Sequence, residues 1–340
     1  MNMKKKMECP YCDGMADLKK EAKDLTYRKE VFKIMAHYYK CEKCQEQFTT
    51  TESDTISLTQ AHNQYREKNN IPFPEEIAAI RLKYNLSASK MSEVLGLGTN
   101  GYSNYENGEI PIPAYGNLIS ATAEPATFLH FLDNSKSHFT GKAFTKARER
   151  VLYLIQTVDT TKDVCASLNV FNEPNNYTGY KKTALDKLAS LVTFFIQNSN
   201  PEFNDKLKLN KQLFYTDFLH YKNVGASISG LSYRAIPYGP APSNYDNIYA
   251  YLENEGVISS QFVKLSNGGV KEVFVSNFDF DKKKFSEQEQ NSICMIIEKF
   301  KNIPTWDVVE LSHSEKAWID LESNRKLIGY QEYAFELKAI

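Results

Sequence analysis

Two cysteine pairs near the start of the chain constrain its folding more than any other feature. CPYC supplies Cys9 and Cys12, and CEKC supplies Cys41 and Cys44. Each C-x-x-C turn can direct two thiolates at one cation, and two such turns complete the tetrahedral shell that suits Zn²⁺. A module this small has too little core to fold alone, so the metal supplies the missing stability. We predict a structural zinc ribbon over residues 1–50. Its four thiolates leave no open position for a catalytic water.

The segment between the two pairs contains TYRKEVFKIMAHYYK, which is rich in β-branched and aromatic residues. This composition predicts one or two strands that return the second pair to the first. The alternative, a redox C-x-x-C, needs a strand–helix–strand setting and leaves the second pair unexplained. Cys165 and Cys294 are isolated, and we expect both to be ordinary buried thiols.

The length of 340 residues allows two or three domains. A net charge of −1 gives no general attraction to nucleic acid or to anionic membranes. No apolar run reaches the length of a membrane span, and the basic start MNMKKKMECP lacks the apolar stretch of a secretory signal. We therefore expect a cytoplasmic protein with no membrane partner, multidomain and mainly α-helical with small β elements.

After the cysteine pairs, residues 51–73 are polar and predict a partly helical linker ending at a Pro pair. The following stretch GLGTNG places Gly96, Gly98 and Gly101 in the spacing of a dinucleotide-binding loop. Such a loop must follow a strand. Here ASKMSEVL precedes it, with apolar residues at helical spacing, Ser87 as N-cap and Gly96 as the stop. We therefore interpret the glycines as a turn between two helices.

The helices around this turn predict a helix-turn-helix domain over residues 74–135. Ile77, Ile80 and Tyr84 form the apolar stripe of the first helix. The third is predicted from about Thr99, its N-cap, to residue 107, with Tyr102 and Tyr105 inward. A later helix of this motif enters the DNA major groove, and Asn can pair with adenine through two hydrogen bonds. The predicted DNA-contacting residues are Thr99, Asn100, Ser103 and Asn104. The alternative is that these are solvated polar residues on a surface helix.

Charge counts against DNA binding by this region alone. Residues 69–135 hold three basic and seven acidic residues, a net of −4, whereas phosphate contacts need positive charge. Basic residues outside it are candidates for the missing phosphate contacts: Lys40, Lys43, Arg66 and Lys68.

The rest of the chain predicts a helical connector over 136–182 and a mostly helical α+β domain over 183–335. In the connector, KAFTKARERVLYLIQTV predicts a helix with Leu152 and Ile155 inward, and NVFNEPNNYTGYKK is a break. TALDKLASLVTFFIQNSN, KLNKQLFYTDFLHYKN and DNIYAYLENEGVI predict helices, and SEQEQNSICMIIEKFKN opens with a capping box. QFVKLSNGGVKEVFV predicts a β-hairpin around 267–269.

Catalytic motifs are missing from the sequence. It contains no HExxH and no GK[ST] phosphate loop, and GASISG at 225–230 lacks the spacing of a nucleophile elbow. His220 and His313 are lone histidines, which more often form structural hydrogen bonds. We expect a protein that is not an enzyme. The many tyrosines of this half suit either a protein-binding surface or a core.

Residues 8 to about 134 resemble the MqsA-type antitoxins of bacterial toxin–antitoxin operons. The resemblance rests on ECPYC, YKCEKC, ESD at 52–54, LSASKMSEVLG and GTNGYSNYENG, in that order. It implies that the four cysteines hold zinc, that Asn100 contacts a base, and that the domain dimerises and represses its own promoter. It also implies an ion pair between Arg81 and Glu106. Family members often have Arg where this chain has Asn104, which implies a different operator sequence.

Residues 183 to about 330 resemble the SocA-like or Panacea antitoxin domain. LNKQLFYTDF, SISGLSY, YRAIPYGPAP and LSHSEKAW carry this second resemblance. It implies neutralisation of a toxin encoded alongside. The motif positions that we take as candidate toxin contacts are Lys211, Tyr215, Tyr238, Gly239 and Trp318.

Together these patterns predict an antitoxin that binds a cognate protein toxin and operator DNA, as a homodimer. One alternative is a stand-alone transcription regulator with a signal-sensing C-terminal domain. Another is a proteolysis adaptor for a toxin.

Overall fold

The computed structural model describes residues 3–157, 168, 173–203, 205–264 and 268–340. These residues fall into two compact units. One is drawn from the ranges 1–25, 33–60 and 162–340, and the other from 26–32 and 61–161. Cys165 and the turn residue 267 lie outside the described part, as do residues 169–172 of the predicted break at 169–182.

The N-terminal residues form a four-stranded sheet in the order β1-β2-β3-β4. The strands are β1 (Lys6–Glu8), β2 (Met15–Tyr27), β3 (Glu30–Cys41) and β4 (Gln47–Phe48). The predicted strands between the cysteine pairs are therefore confirmed, and β2 extends further toward the N-terminus than the composition suggested. Helix α1 (Thr51–Lys68) follows, within the residues expected to be a partly helical linker.

The helices of the second unit follow the apolar stripes of the sequence. They are α2 (Pro74–Lys83), α3 (Ala88–Leu95), α4 (Gly101–Glu106), α5 (Pro113–Ala121), α6 (Pro125–Asn134) and α7 (Gly141–Gln156). One core joins them, and it contains the predicted inward residues Ile77, Tyr84, Met91 and Tyr102. For α7 the prediction was partly wrong. Leu152 is half-buried and Ile155 is exposed, whereas the helix buries Phe144, Ala147 and Val151. The helix packs on α6, and Ile155 lies in its last turn, at the end of the buried stripe.

The C-terminal part of the first unit is arranged around one buried helix. Its helices are α8 (Leu185–Asn198), α9 (Lys206–Val224), α10 (Tyr245–Asn254), α11 (Glu287–Phe300), α12 (Thr305–His313), α13 (Lys316–Leu321) and α14 (Tyr330–Tyr333). Two antiparallel hairpins accompany them: β5 (Tyr233–Ile236) with β6 (Gly239–Pro242), and β7 (Ile258–Lys264) with β8 (Val270–Ser276). The hairpin predicted over 261–275 and the Ser286–Glu289 capping box are both confirmed.

Helix α9 is buried from residue 208 to residue 221. Its buried polar side chains need hydrogen-bond partners, and the SISGLSY segment that follows the helix provides some of them. The Asp217 carboxylate accepts hydrogen bonds from the Ile228 and Ser229 N–H groups and from the Tyr233 hydroxyl, at 2.7–2.9 Å. The SISGLSY segment therefore wraps a buried carboxylate. These hydrogen bonds give the polar residues of the segment a structural role.

Candidate functional sites

The four N-terminal cysteines converge on one point. Their Sγ atoms all lie within 4.8 Å of one another. Cys9 and Cys44 are separated by 3.7 Å between sulfurs, and Cys12 and Cys41 by 3.5 Å. A tetrahedral Zn²⁺ with bonds of about 2.3 Å places its sulfur ligands roughly 3.8 Å apart. The donor set therefore fits a four-coordinate metal of this size.

Local backbone geometry brings these sulfurs together. The Cys9 N–H donates to the Gly14 carbonyl at 2.9 Å, which closes the first turn. A Cβ at Gly14 would approach Cys41 Sγ to 2.9 Å, so only glycine leaves room for the cluster. N–H groups also point at the sulfurs, from Tyr11 to Cys9 and from Lys43 to Cys41.

At Cys41, backbone N–H groups favour thiolate over thiol. Hydrogen bonds from the backbone of Cys44 and of Lys43 lower the pKa of Cys41 to about 6. A cysteine ligand must be deprotonated, so this environment prepares a metal ligand. Cys294, in contrast, is exposed on α11, so its predicted burial was wrong. The helix turns its Ile293 and Ile296 inward and this thiol outward.

The glycine stretch joins α3 to α4, which confirms the turn and excludes the dinucleotide reading. Gly96 ends α3 in the left-handed conformation at φ +66°, and the Ser87 hydroxyl accepts the Lys90 N–H at the other end. The predicted N-cap of the third helix was wrong by one residue. Asn100 occupies that position, and its carbonyl accepts the Asn104 N–H at 2.9 Å. The buried Ser92 hydroxyl accepts the Tyr102 N–H, a cap from another helix that local spacing does not reveal.

The predicted DNA-contacting residues lie together on the outer side of α4. Thr99, Asn100 and Asn104 are exposed, and Ser103 is half-buried. Among the described residues, the amide groups of Asn100 and Asn104 make no hydrogen bond. Glu106 faces the other way and pairs with Arg81, with Nε and Oε1 2.6 Å apart. This confirms the expected ion pair.

Arg66 does not have the role that the charge balance suggested. Its guanidinium is buried and donates to the carbonyls of Pro72, Gly108 and Glu109 at 2.7, 3.1 and 3.1 Å. Burial lowers its pKa to about 10, so the group stays cationic at neutral pH. It ties α1 to the segments that flank the helix-turn-helix and has no donor facing solvent, so it is not a phosphate contact.

The segment after the helix-turn-helix carries positive charge. Residues 136–157 contain five basic residues and one acidic residue, a net of +4, which offsets the −4 of residues 69–135. Both ranges belong to the same compact unit. The predicted helix-turn-helix domain ended at residue 135, so its predicted net charge did not include residues 136–157.

The candidate toxin contacts divide into buried and exposed groups. Lys211 and Tyr215 lie in the core of α9, so they have no surface to offer a partner in this structure. The Lys211 ammonium donates to the Pro240 carbonyl at 2.8 Å, and burial lowers its pKa to about 7. Tyr215 donates to the buried Glu315 carboxylate at 3.2 Å. For these two residues the expectation is corrected: their motif positions maintain the fold.

The other three motif positions surround the β5–β6 turn. Gly239 is buried at φ +88°, where an added Cβ would overlap the Ser312 hydroxyl. Trp318 is half-buried, and its Nε1 donates to the Ile236 carbonyl at 2.8 Å. Tyr238, between them, is exposed. Of the tyrosines considered for a binding surface, Tyr238 is exposed and Tyr251 half-buried, whereas the others belong to the core: Tyr215, Tyr221, Tyr233 and Tyr249.

Contacts between the N-terminal sheet and the C-terminal helices were not foreseen. The ring of His37 on β3 lies 5.5 Å from that of Phe335, and Lys20 on β2 donates to the Phe335 carbonyl. Gln331 on α14 donates to Gln60 at 2.8 Å. The four-cysteine sheet and the C-terminal helices therefore pack as parts of one unit.

Four convergent thiols positioned to bind a metal, followed by a helix-turn-helix, define the class of this protein. Residues 7–119 match the model described as "Antitoxin component of bacterial toxin-antitoxin system, MqsA". Antitoxin MqsA of Escherichia coli (strain K12) is 32% identical over 120 residues, 33% of this chain and 89% of the relative. The chain belongs to the MqsA antitoxin family. Residues 209–319 match the model "Antitoxin SocA-like, Panacea domain".

Both parts of the chain therefore match antitoxin families, and these matches support an antitoxin role. They also suggest that the protein is a regulator that is not an enzyme. Within the described residues, no helix is both long and apolar enough to cross a membrane.

Proposed function

We propose that this chain is an antitoxin that neutralises a cognate protein toxin through residues 183–335 and represses its own operon through residues 74–135. The observation that carries the proposal is the order of parts on one chain. A thiolate cluster and a helix-turn-helix matching one antitoxin family precede a domain matching a second antitoxin family. Each match supports the same role independently.

The metal in this proposal is a structural Zn²⁺ held by Cys9, Cys12, Cys41 and Cys44. Sulfur separations of 3.5 and 3.7 Å and an all-thiolate donor set support zinc over harder cations. The ion stabilises the turns of the N-terminal sheet, and no reaction step is assigned to it. A cytoplasmic location suits the site, because reduced thiols persist there.

In the DNA-binding part, α4 reads base edges with Asn100 and Asn104, and Thr99 and Ser103 lie beside them. Exposed amide groups one helical turn apart support this assignment, since Asn can bind adenine N6 and N7 together. A homodimer would place two such helices on half-sites one DNA turn apart or a multiple of it. Residues 136–157, which include α7, carry a net charge of +4, and this charge offsets the −4 of residues 69–135 when the unit approaches DNA phosphates.

A co-expression experiment tests the toxin and operator functions separately. Each small protein encoded beside this gene is expressed alone and then with the full chain, while a promoter fusion reports repression. We expect one neighbour to stop growth and the chain to restore it. The Asn100→Ala/Asn104→Ala variant should still restore growth but lose repression. If no neighbour is toxic, the antitoxin proposal fails, and a transcription regulator with another signal becomes the better account.

The half-life of the toxin distinguishes neutralisation from delivery to a protease. A simple blocking antitoxin leaves the toxin level unchanged or raised during rescue. An adaptor shortens the half-life, and a protease-deficient host then abolishes the rescue.

A further inference from the structure

Four large apolar side chains of the C-terminal part are exposed in or next to one groove. Tyr238, Phe262, Val270 and Trp306 are 53, 72, 59 and 59% exposed. We call these four residues the aromatic face. The groove has a volume of about 560 Å³, and Trp306 and Val270 both line it. Exposed apolar groups scattered singly need no explanation, whereas a contiguous group marks an interaction surface.

Direct contacts and strand register show that the four side chains are neighbours. The rings of Tyr238 and Trp306 meet edge to face, with centroids 6.0 Å apart. Phe262 pairs with Glu272 across the β7–β8 hairpin, and Lys264 pairs with Val270. Paired residues share one face of a sheet, as do residues two apart on a strand, so Phe262 and Val270 lie on the same face. Glu272 and Val270 both line the groove.

Tyr238 and Trp306 of the aromatic face lie on ordered backbone elements. Tyr238 precedes Gly239, whose positive φ and buried Cα direct the tyrosine outward at the β5–β6 turn. Trp306 lies in the first turn of α12, where the Thr305 hydroxyl donates to the Asp205 carboxylate. Because the backbone of both residues is already ordered, ordering it adds little to the entropy cost of binding. Aromatic residues held in this way are typical of binding hot spots.

The charge around the groove indicates the chemistry of the partner. Lys206 is neutralised by Asp246 and Glu272, at 2.6 and 3.4 Å. Asp307 and Glu310 are exposed beside Trp306 on α12 and form no ion pair within the described residues. Six carboxylates and three ammonium groups in and beside the groove give a net charge of −3; they belong to Glu202, Asp205, Asp246, Glu272, Asp307, Glu310, Lys206, Lys264 and Lys271.

We infer that the aromatic face is the toxin-binding surface, and that the toxin presents an apolar side chain flanked by Lys or Arg to this groove. This inference rests on the proposed antitoxin function and specifies where that function resides. The partner's apolar side chain enters between Trp306 and Val270. Its basic residues meet Asp307 and Glu310, which contribute mainly to the rate of association.

The test uses the full chain and the small toxic protein encoded beside its gene, both purified; calorimetry measures Kd, and stopped-flow fluorescence measures the association rate. We expect Trp306→Ala and Phe262→Ser each to raise Kd at least tenfold, and Asp307→Lys to slow association. The matched control is Ile319→Ala on α13, an equally exposed apolar residue away from the groove, which should bind like the parent chain. Circular dichroism and the mass of the free chain are measured for every variant.

The outcomes separate the proposed toxin-binding surface from the proposed antitoxin function. If the parent chain binds and rescues but Trp306→Ala and Phe262→Ser match the Ile319→Ala control, the aromatic face is overturned and the antitoxin function stands. If these variants change the mass of the free chain without changing toxin affinity, the face joins two copies of this chain, and the inference is again overturned. If the parent chain binds no toxic neighbour, both proposals fail together.

Discussion

Replacing Arg66 with Met tests the structural role that the contacts give to this side chain. The variant keeps most of the apolar stem but removes the donors to three carbonyls. The Pro72 carbonyl is deeply buried and loses a charged donor, which costs about 2–3 kcal/mol. Gly108 and Glu109 are exposed residues whose carbonyls can recruit water, so each adds only about 0.5 kcal/mol.

The expected local destabilisation is therefore about 3–4 kcal/mol, confined to the unit that contains α2 and α4. Because about 1.4 kcal/mol is a factor of ten, amides of α2 and α4 should exchange with deuterium roughly a hundredfold to a thousandfold faster. Hydrogen exchange read by mass spectrometry on the full chain measures each helix separately. It is preferable to one melting curve, because a chain of two units need not unfold in one step.

Lys68→Met provides the matched control on the same helix. Its ammonium pairs with Glu30 at 2.7 Å but is 63% exposed, and exposed ion pairs contribute little. Equal exchange rates in the two variants would refute the structural role of Arg66.

Four further predictions concern the metal, the operator, one turn and pH. Cys41→Ser should lose the bound zinc in elemental analysis, while Cys294→Ser keeps one ion per chain, because only the former supplies a clustered thiolate; equal zinc in both would contradict the site. Asn100→Ala should weaken operator binding about tenfold or more in mobility shifts, as expected for losing a two-bond base contact; an equal loss on unrelated DNA would show that the residue reads no base. Gly239→Ala should destabilise the C-terminal part by about 2 kcal/mol or more, because a Cβ there meets a buried hydroxyl at positive φ; an unchanged thermal transition would contradict this. Burial lowers the pKa of His220 to about 4 from 6.5, so its neutral form stabilises the fold fully above pH 6.5, and this contribution is lost as pH falls toward 4; His220→Gln should show a smaller loss of stability across that window.

The sequence alone was sufficient wherever the cause of structure is local. The paired cysteines, the Ser87 cap, the Gly96 stop and the Ser286–Glu289 capping box depend on residues within a few positions of one another. The apolar stripes of the helices also follow from local spacing. For these features the prediction and the structure agree.

Positions whose role depends on distant neighbours were not predictable in this way. Arg66 and Lys211 look like surface cations in the sequence, yet their charges are held by carbonyls 6 to 43 and 29 residues away. The wrong N-cap has the same origin, because the first turn of α4 is completed by Ser92 from α3. Spacing along the chain carries no information about such partners.

The sequence by itself determined the metal ligands, the order of helices and the membership of an antitoxin family. Only the tertiary structure decided which motif residues are core and which are surface: it buried Tyr215 and exposed Tyr238. It also brought Tyr238 against Trp306, which lines the groove, and paired Phe262 with Glu272 at the edge of the same groove. The physical reason is that the donor chemistry and spacing of each C-x-x-C pair are set along the chain, whereas burial and the α4 cap from Ser92 are set by packing between separate elements.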